Sequence, residues 1–361
     1  MFLRTLLSAA ALLYTTVSAQ TACNNSPSLC NKPYNNITHL GAHNSAFVRD
    51  ATTSFSTAGN HFFNTTVQLD AGVRLLTAQV HSFNNSAGAT EWHLCHTSCS
   101  LLDAGPLEKW LGEIKSWMDA NPNEVVTILL VNSDKASGQI LGSQFNSSGI
   151  SRYAYTPPAS SSTSLPQTWP TLDNLISNGT RLMTFVASLS TPSTAYPFLM
   201  DEFTFVFEND FENESPTEYS CDPNRPTGLT PATAKASNRM FLMNHFLYST
   251  QSIVQTPNVT YTNVTNAASG PGSLGNAITD CTAVYSKPPT FVLVDFFNVG
   301  PAVDAVDRAN GVAAATGRKS VSRELVRESP ASAAGAASRV GRQGSVLAVV
   351  VAVVVAVGFG L

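Results

Sequence analysis

Short apolar runs separated by longer polar connections dominate the chain from residue 37 onward, and they predict strands at 37–42, 73–80, 92–95, 125–131, 182–187, 203–207, 240–243 and 291–296. Several are apolar at nearly every position, as strands covered on both faces require. Between them Leu107, Trp110, Leu111, Ile114, Trp117 and Met118 recur at three- and four-residue intervals. They predict a helix over 104–120, opened by Asp103 and stopped at Asn121-Pro122. Shorter helices are expected at 171–177, closed by Asn178-Gly179, and at 302–309, ahead of Gly311. Strand and helix in alternation argue for a parallel sheet, and about eight strands in a domain of this size argue for an α/β fold of the (β/α)8 TIM-barrel type. Residues 82–90 are too few for a crossover helix, so the strands around them are expected to form a hairpin that distorts the barrel.

The two ends follow other patterns. Arg4, the apolar stretch 6–14 and the small residues Val17-Ser18-Ala19 have the layout of a removable secretory signal over 1–19. At the far end, small residues at 332–338, a polar spacer at 339–345 and an apolar tail at 346–361 have the layout of a GPI attachment signal, whose tail is cleaved. The tail is short for a membrane span and no basic stop follows it. A catalytic-sized domain is therefore expected at 20–311, and 312–345, rich in Ser, Ala and Gly, reads as a stalk carrying the anchor.

Composition narrows the partners. A net charge of -4 with 12% charged residues lacks the basic face that a nucleic acid needs, and a monomer is expected. Sequons at Asn24, Asn36, Asn64, Asn84, Asn146, Asn178, Asn213, Asn258 and Asn263 suit an exported glycoprotein. Six cysteines suit an oxidising compartment, and their spacing suggests Cys23–Cys30, Cys95–Cys99 and Cys221–Cys281, although six cysteines allow fifteen connectivities.

In a β/α barrel the site assembles where strands end, which singles out His43, Gln79, His81, His96 and Asp295. Two histidines titrating near neutrality can act as base and acid in one reaction. Gly41-Ala42-His43-Asn44-Ser45, the Gly72-Val73-Arg74 strand and Leu94-Cys95-His96 match the order and spacing of the phosphatidylinositol-specific phospholipase C X-domain. The fragments GVRLLTAQVH, WHLCHTSC, EVVTILLVNSD, MFLMNHFLYSTQ and FVLVDFFN more closely resemble the fungal PLC-like phosphodiesterases, secreted or GPI-anchored relatives of that family. The likeness covers nearly the whole expected domain.

The resemblance implies that His43 takes the proton from an inositol 2-hydroxyl as it attacks phosphorus, that His96 protonates the leaving diacylglycerol oxygen, and that Asp295 orients His43. Asn44, Thr77, Gln79, His81 and Asn132 are the expected substrate contacts. Bacterial relatives place an acid and an arginine where this chain has Thr77 and Gln79. Calcium-dependent relatives place carboxylates there and at the position of Asn132, so no catalytic Ca²⁺ and no other cofactor is expected. Lacking both metal and arginine, the phosphorane charge has no evident full positive partner, a loss of several kcal/mol unless another group such as His81 compensates. The substrate implied is a phosphoinositide or related glycerophosphodiester.

Other readings compete. The same barrel without useful catalysis would be a surface binding protein for an inositol-phosphate or glycan head group, and a sphingomyelinase D type of barrel would need clustered carboxylates that the second strand lacks. His93, Cys95, His96 and Cys99 cluster as a zinc site would, but in an exported chain the two cysteines are expected to pair. His39 and His245 read as core residues, His61 as a loop residue, Trp92, Trp110 and Trp117 as packing, and Arg74 as one half of an ion pair below the site.

Overall fold

The computed structural model describes residues 21–326 except 159–164, 167, 190–191 and 252–253, so the expected signal at 1–19, the attachment region at 327–345 and the tail at 346–361 lie outside the described residues. Among the described residues there are twelve strands in chain order: β1 (His39–Ala42), β2 (Leu75–Asn84), β3 (Thr90–Cys95), β4 (Asp103–Pro106), β5 (Val126–Asn132), β6 (Leu182–Ala187), β7 (Leu199–Asp201), β8 (Val206–Glu208), β9 (Met240–Asn244), β10 (Tyr248–Gln251), β11 (Val254–Pro257) and β12 (Phe291–Val294). Eight of them pair in parallel in the order β7-β6-β5-β2-β1-β12-β9-β8. The sheet curls into an open barrel whose edges β7 and β8 are joined by one helical turn, Glu202–Phe205, instead of by a ladder.

Side-chain alternation builds this architecture. Leu75, Leu129, Phe185, Met240, Leu242, Phe291 and Leu293 fill the inside, where Tyr34 closes the floor with its hydroxyl 2.7 Å from Thr127 Oγ1. Leu76, Ile128, Leu130, Val186, Phe241 and Val292 alternate with them and pack outward beneath the helices, among them Leu107–Ala120 and Leu274–Tyr285. Gly41 belongs to the inner set because no side chain fits. A Cβ there would lie 2.5 Å from Leu293 Cδ2 and 2.9 Å from Leu75 Cδ2.

The expected hairpin is present: β2 runs past its parallel partners and turns back antiparallel into β3, which pairs with β4. This three-stranded flap corrects two boundaries. The helix expected from 104 begins at Leu107 with Pro106 at its N-cap, because 103–106 is spent on β4 and Asp103 bonds His93 Nδ1 at 2.9 Å. Likewise the strand expected at 203–207 starts at Val206, since Asp201 caps the helical turn by accepting from Thr204 N at 2.9 Å.

The three disulfides are Cys23–Cys30, Cys95–Cys99 and Cys221–Cys281, the pairs that spacing suggested. At the floor, Arg74 and Glu124 form a buried ion pair at 2.6 Å. Among the described residues the compact unit continues through Glu324, beyond the expected boundary at 311. Residues 312–324 form a strap along its side: Thr316 N bonds Asn25 O at 2.8 Å, Arg318 pairs with Asp307, Lys319 with Asp70 and Arg323 with Asp304, and Ser322 O accepts from Asn298 Nδ2 at 2.8 Å.

Candidate active site

Register brings the first two residues of the site together. Because Ala42 of β1 lies beside Val294 of β12, the next residues, His43 and Asp295, emerge side by side at the carboxyl end of the barrel. His43 Nδ1 lies 3.0 Å from Asp295 Oδ1. A carboxylate only accepts, so Nδ1 carries the hydrogen and Nε2 presents a lone pair, the tautomer of a general base. Asn60 Nδ2 donates to the same Asp295 oxygen at 2.9 Å. Phe246 stacks on the imidazole at 3.8 Å between centroids, and Tyr248 meets it edge-on at 6.5 Å. Beneath, His61 Nε2 donates to the His43 carbonyl at 2.7 Å, and burial holds the His61 ring neutral, with its pKa down to about 4. The backbone turns sharply after Asp295: Phe296 sits at φ 44°, a left-handed conformation costly for a bulky residue, and Asn266 Nδ2 bonds the Asp295 carbonyl at 3.0 Å.

The opposite wall comes from the flap. His96 lies inside the short Cys95–Cys99 loop, with its backbone N bonded to Leu102 O at 2.9 Å. Its ring is only 3% exposed, packs 5.2 Å from Phe47, and leaves Nδ1 buried without a hydrogen-bond partner. Burial above all lowers its pKa, to about 4 in all, with a smaller lowering by His43 that Asp295 and the Ala58 backbone partly offset. His96 therefore stands within electrostatic reach of the His43–Asp295 pair and is neutral at neutral pH.

The other expected contacts are largely committed to bracing. Thr77 Oγ1 accepts from Asn44 N at 2.8 Å, and Gln79 Oε1 accepts from Thr97 N at 2.8 Å, so the second strand holds the His43 loop and the His96 loop at fixed heights. Asn44 adopts φ 55° and keeps a buried Nδ2 without a partner. Both ends of the Asn132 amide engage Ala136, each at 2.8 Å. His81 forms a second histidine–aspartate pair, Nδ1 to Asp134 Oδ1 at 3.2 Å, with Nε2 buried and unpartnered. Asp134 is fixed in turn by Ser82 N at 2.8 Å and Ser82 Oγ at 2.9 Å.

Several neighbours escaped sequence reasoning. Asn60 and His61 lie in a connection without periodicity, and Phe246 and Tyr248 follow a strand whose pattern has already ended. Beyond Tyr248, Arg225 donates to Glu208, which also accepts from Asn244 Nδ2 at 3.2 Å. Burial pushes the adjoining Glu202 carboxyl up, and the Glu208 charge adds to it. At Glu208 burial has the same effect but is outweighed by the hydrogen bond from Glu202 and the Arg225 charge, so one proton is held between two carboxyls beside a guanidinium. Among the described residues no group of three or more His, Cys, Asp or Glu is disposed to hold a metal ion, and Cys95 and Cys99 are bonded to each other.

An open parallel α/β barrel with a histidine–aspartate pair at the carboxyl ends of adjacent strands defines the class: a PLC-like barrel. The chain belongs to the PI-PLC X family, whose PI-PLC X 1 model matches residues 29–310. It is 35% identical over 291 residues to PI-PLC X domain-containing protein 1 of the fungus Arthroderma benhamiae, covering 80% of this chain and 90% of that one. It is 38% identical over 284 residues to an uncharacterized secreted protein of the same fungus, covering 77% of this chain and 60% of the relative's length. Among solved structures, a phosphatidylinositol-specific phospholipase C of S. aureus superposes with a TM-score of 0.50 at 13% identity over 77% of this chain and 94% of that one, a likeness of fold alone.

Proposed function

We propose that the protein is a phosphodiesterase of the phospholipase C type, acting outside the cell on a phosphoinositide or related glycerophosphodiester by acid–base catalysis. The observation that carries this reading is His43, held through Nδ1 by Asp295 with Nε2 left available at the open end of the barrel. In that reading Nε2 takes the proton of the attacking inositol hydroxyl. The new O–P bond forms as the bond from phosphorus to the glycerol oxygen breaks, and His96 supplies the proton to that oxygen. His96 starts neutral, so it must gain its proton as substrate binds; the negative phosphodiester beside it favours this by raising its pKa. Asn44 and His81, each with a buried unpartnered nitrogen, are the groups we assign to the phosphate and head group, with Thr77 fixing the backbone of Asn44, Gln79 that of Thr97 and Asn132 that of Ala136. Export fits the disulfides and the secreted relative, and we assign the C-terminal signal to a lipid anchor.

The same seclusion of His96 favours a second reading, a binding barrel that holds an inositol-phosphate or glycan head group without cleaving it. Purified protein incubated with phosphatidylinositol and with a GPI-linked substrate separates the two. The enzymatic reading requires product release that is lost in His43→Ala and His96→Ala. It fails if neither substrate turns over, or if turnover survives both changes.

A further inference from the structure

The structure divides the nine sequons into three groups by where their side chains point and where the topology places them. Asn24 and Asn213 are built into the interior. Asn24 is 4% exposed, with Oδ1 accepting from Val125 N at 2.7 Å and Nδ2 buried, while Asn213 is 3% exposed and its Nδ2 donates to Asp210 O at 2.9 Å. A glycan on either nitrogen is incompatible with this fold. Asn36, Asn146 and Asn178 are exposed but belong to segments that lead into the amino ends of strands or close the helices before them, at the floor.

The remaining four lie on segments that leave the carboxyl ends. Asn64 ends the long connection after β1, Asn84 ends β2 at the tip of the flap, and Asn258 and Asn263 follow the β10–β11 hairpin that rises from β9. The 258–266 segment abuts the site itself, since Thr265 O accepts from His245 Nε2 at 3.0 Å and Asn266 bonds the Asp295 carbonyl. Asn64, Asn84 and Asn263 are exposed, and Asn258 is half-buried. Where the first two and Asn258 make capping contacts they use Oδ1, which attachment at Nδ2 leaves intact. Beside these last two sequons, Tyr261 and Val264 are 46% and 42% exposed, apolar surface within reach of a bound saccharide.

We propose that Asn64, Asn84, Asn258 and Asn263 carry N-glycans that ring the site and screen it from a flat lipid bilayer, so that the head groups it takes are those projecting beyond the bilayer or free of it. The inference rests on the export reading above. Attachment forms a bond between the amide Nδ2 and the anomeric carbon of a lipid-diphosphate-linked oligosaccharide. The anomeric C–O bond to the diphosphate breaks, the lipid diphosphate leaves, and the amide gives up one proton.

The test uses the full chain expressed on a eukaryotic host and released by cleavage of its lipid anchor, so that no acyl chain remains to hold the vesicles. Glycopeptide mass spectrometry should find saccharide on these four asparagines and none on Asn24 or Asn213; bare rim asparagines, or occupied Asn24 or Asn213, would overturn the proposal. Sedimentation with phosphatidylinositol–phosphatidylcholine vesicles then reads the screening. The pelleted fraction should rise about tenfold, or ~1.4 kcal/mol in partitioning, on Asn→Gln substitution at all four positions or, if that variant is not exported, on endoglycosidase trimming of the parent. Equal pelleting of glycosylated and stripped protein means the saccharides do not screen and overturns the proposal. Neither measurement reads turnover, so an inactive protein leaves the outcome intact.

Discussion

The two walls of the site are built to different standards. On the β1–β12 side, His43 is fixed from every direction: Asp295 at Nδ1, Asn60 behind Asp295, Phe246 across the ring and His61 under the backbone. On the flap side, His96 is held by backbone and by packing on Phe47, with a buried nitrogen bonded to nothing. One imidazole is held by polar partners on several sides, and the other is kept neutral by the loss of water around it. Polar bracing fixes a protonation state as well as a position, whereas apolar packing fixes position and disfavours charge.

Acid breaks both walls at once and gives the largest expected effect. Burial lowers His39, His61, His96 and His245 to about 4. Unfolded, each returns to its ordinary value near 6.5, so between those pH values the unfolded chain binds more protons than the native one. Stability from these four is full above about pH 6.5 and drains as pH falls toward about 4, by enough to rival a typical total of about 5–15 kcal/mol. Denaturant melts at stepped pH should show the midpoint falling through that window; a flat profile would mean the rings are hydrated. Next in size, His43→Ala should lower turnover by about 10⁴-fold with an unchanged thermal midpoint, and His96→Ala by about 10²-fold, the two ends of the range for a positioned acid or base. Equal losses would show that substrate erases the difference between the walls. Asn60→Ala should cost about tenfold in kcat and move the acidic limb of the pH–rate profile, because a charge-assisted hydrogen bond to Asp295 is worth roughly 1.5 kcal/mol or more. Gln79→Ala, which frees Thr97 N and removes a long contact to Asn44 Oδ1, should cost about fivefold, and a loss as large as that of His43→Ala would make Gln79 a substrate ligand instead of a brace.

Much of the braced wall was legible in the chain. His43 and Asp295 terminate apolar runs, and a barrel rule that collects strand-ending polar residues finds them both. The flap was legible too, because 82–90 is too short for anything else. What hid from the sequence depends on contacts between distant residues. Asn60 and His61 carry no periodicity, and their value comes from a loop folding back under β1. His96 stands in the right fragment, but its seclusion follows from Phe47 and the Ala58 loop, neither of which shows any signal. Asp103 and Pro106 looked like a helix start because capping chemistry and a strand end use the same residues. The segment after 311 looked like a stalk because its small and polar residues build no core; its charges find Asp70, Asp304 and Asp307 instead, partners visible only in three dimensions.

That strap finishes where Asn298 Nδ2 bonds the carbonyls of Ser322 and Glu324, three residues along the chain from Asp295. The last described stretch of chain is thereby tied to the carboxyl end of the barrel and not to the floor. Loss of that amide, as in Asn298→Ala, would release the strap first at the His43–Asp295 end.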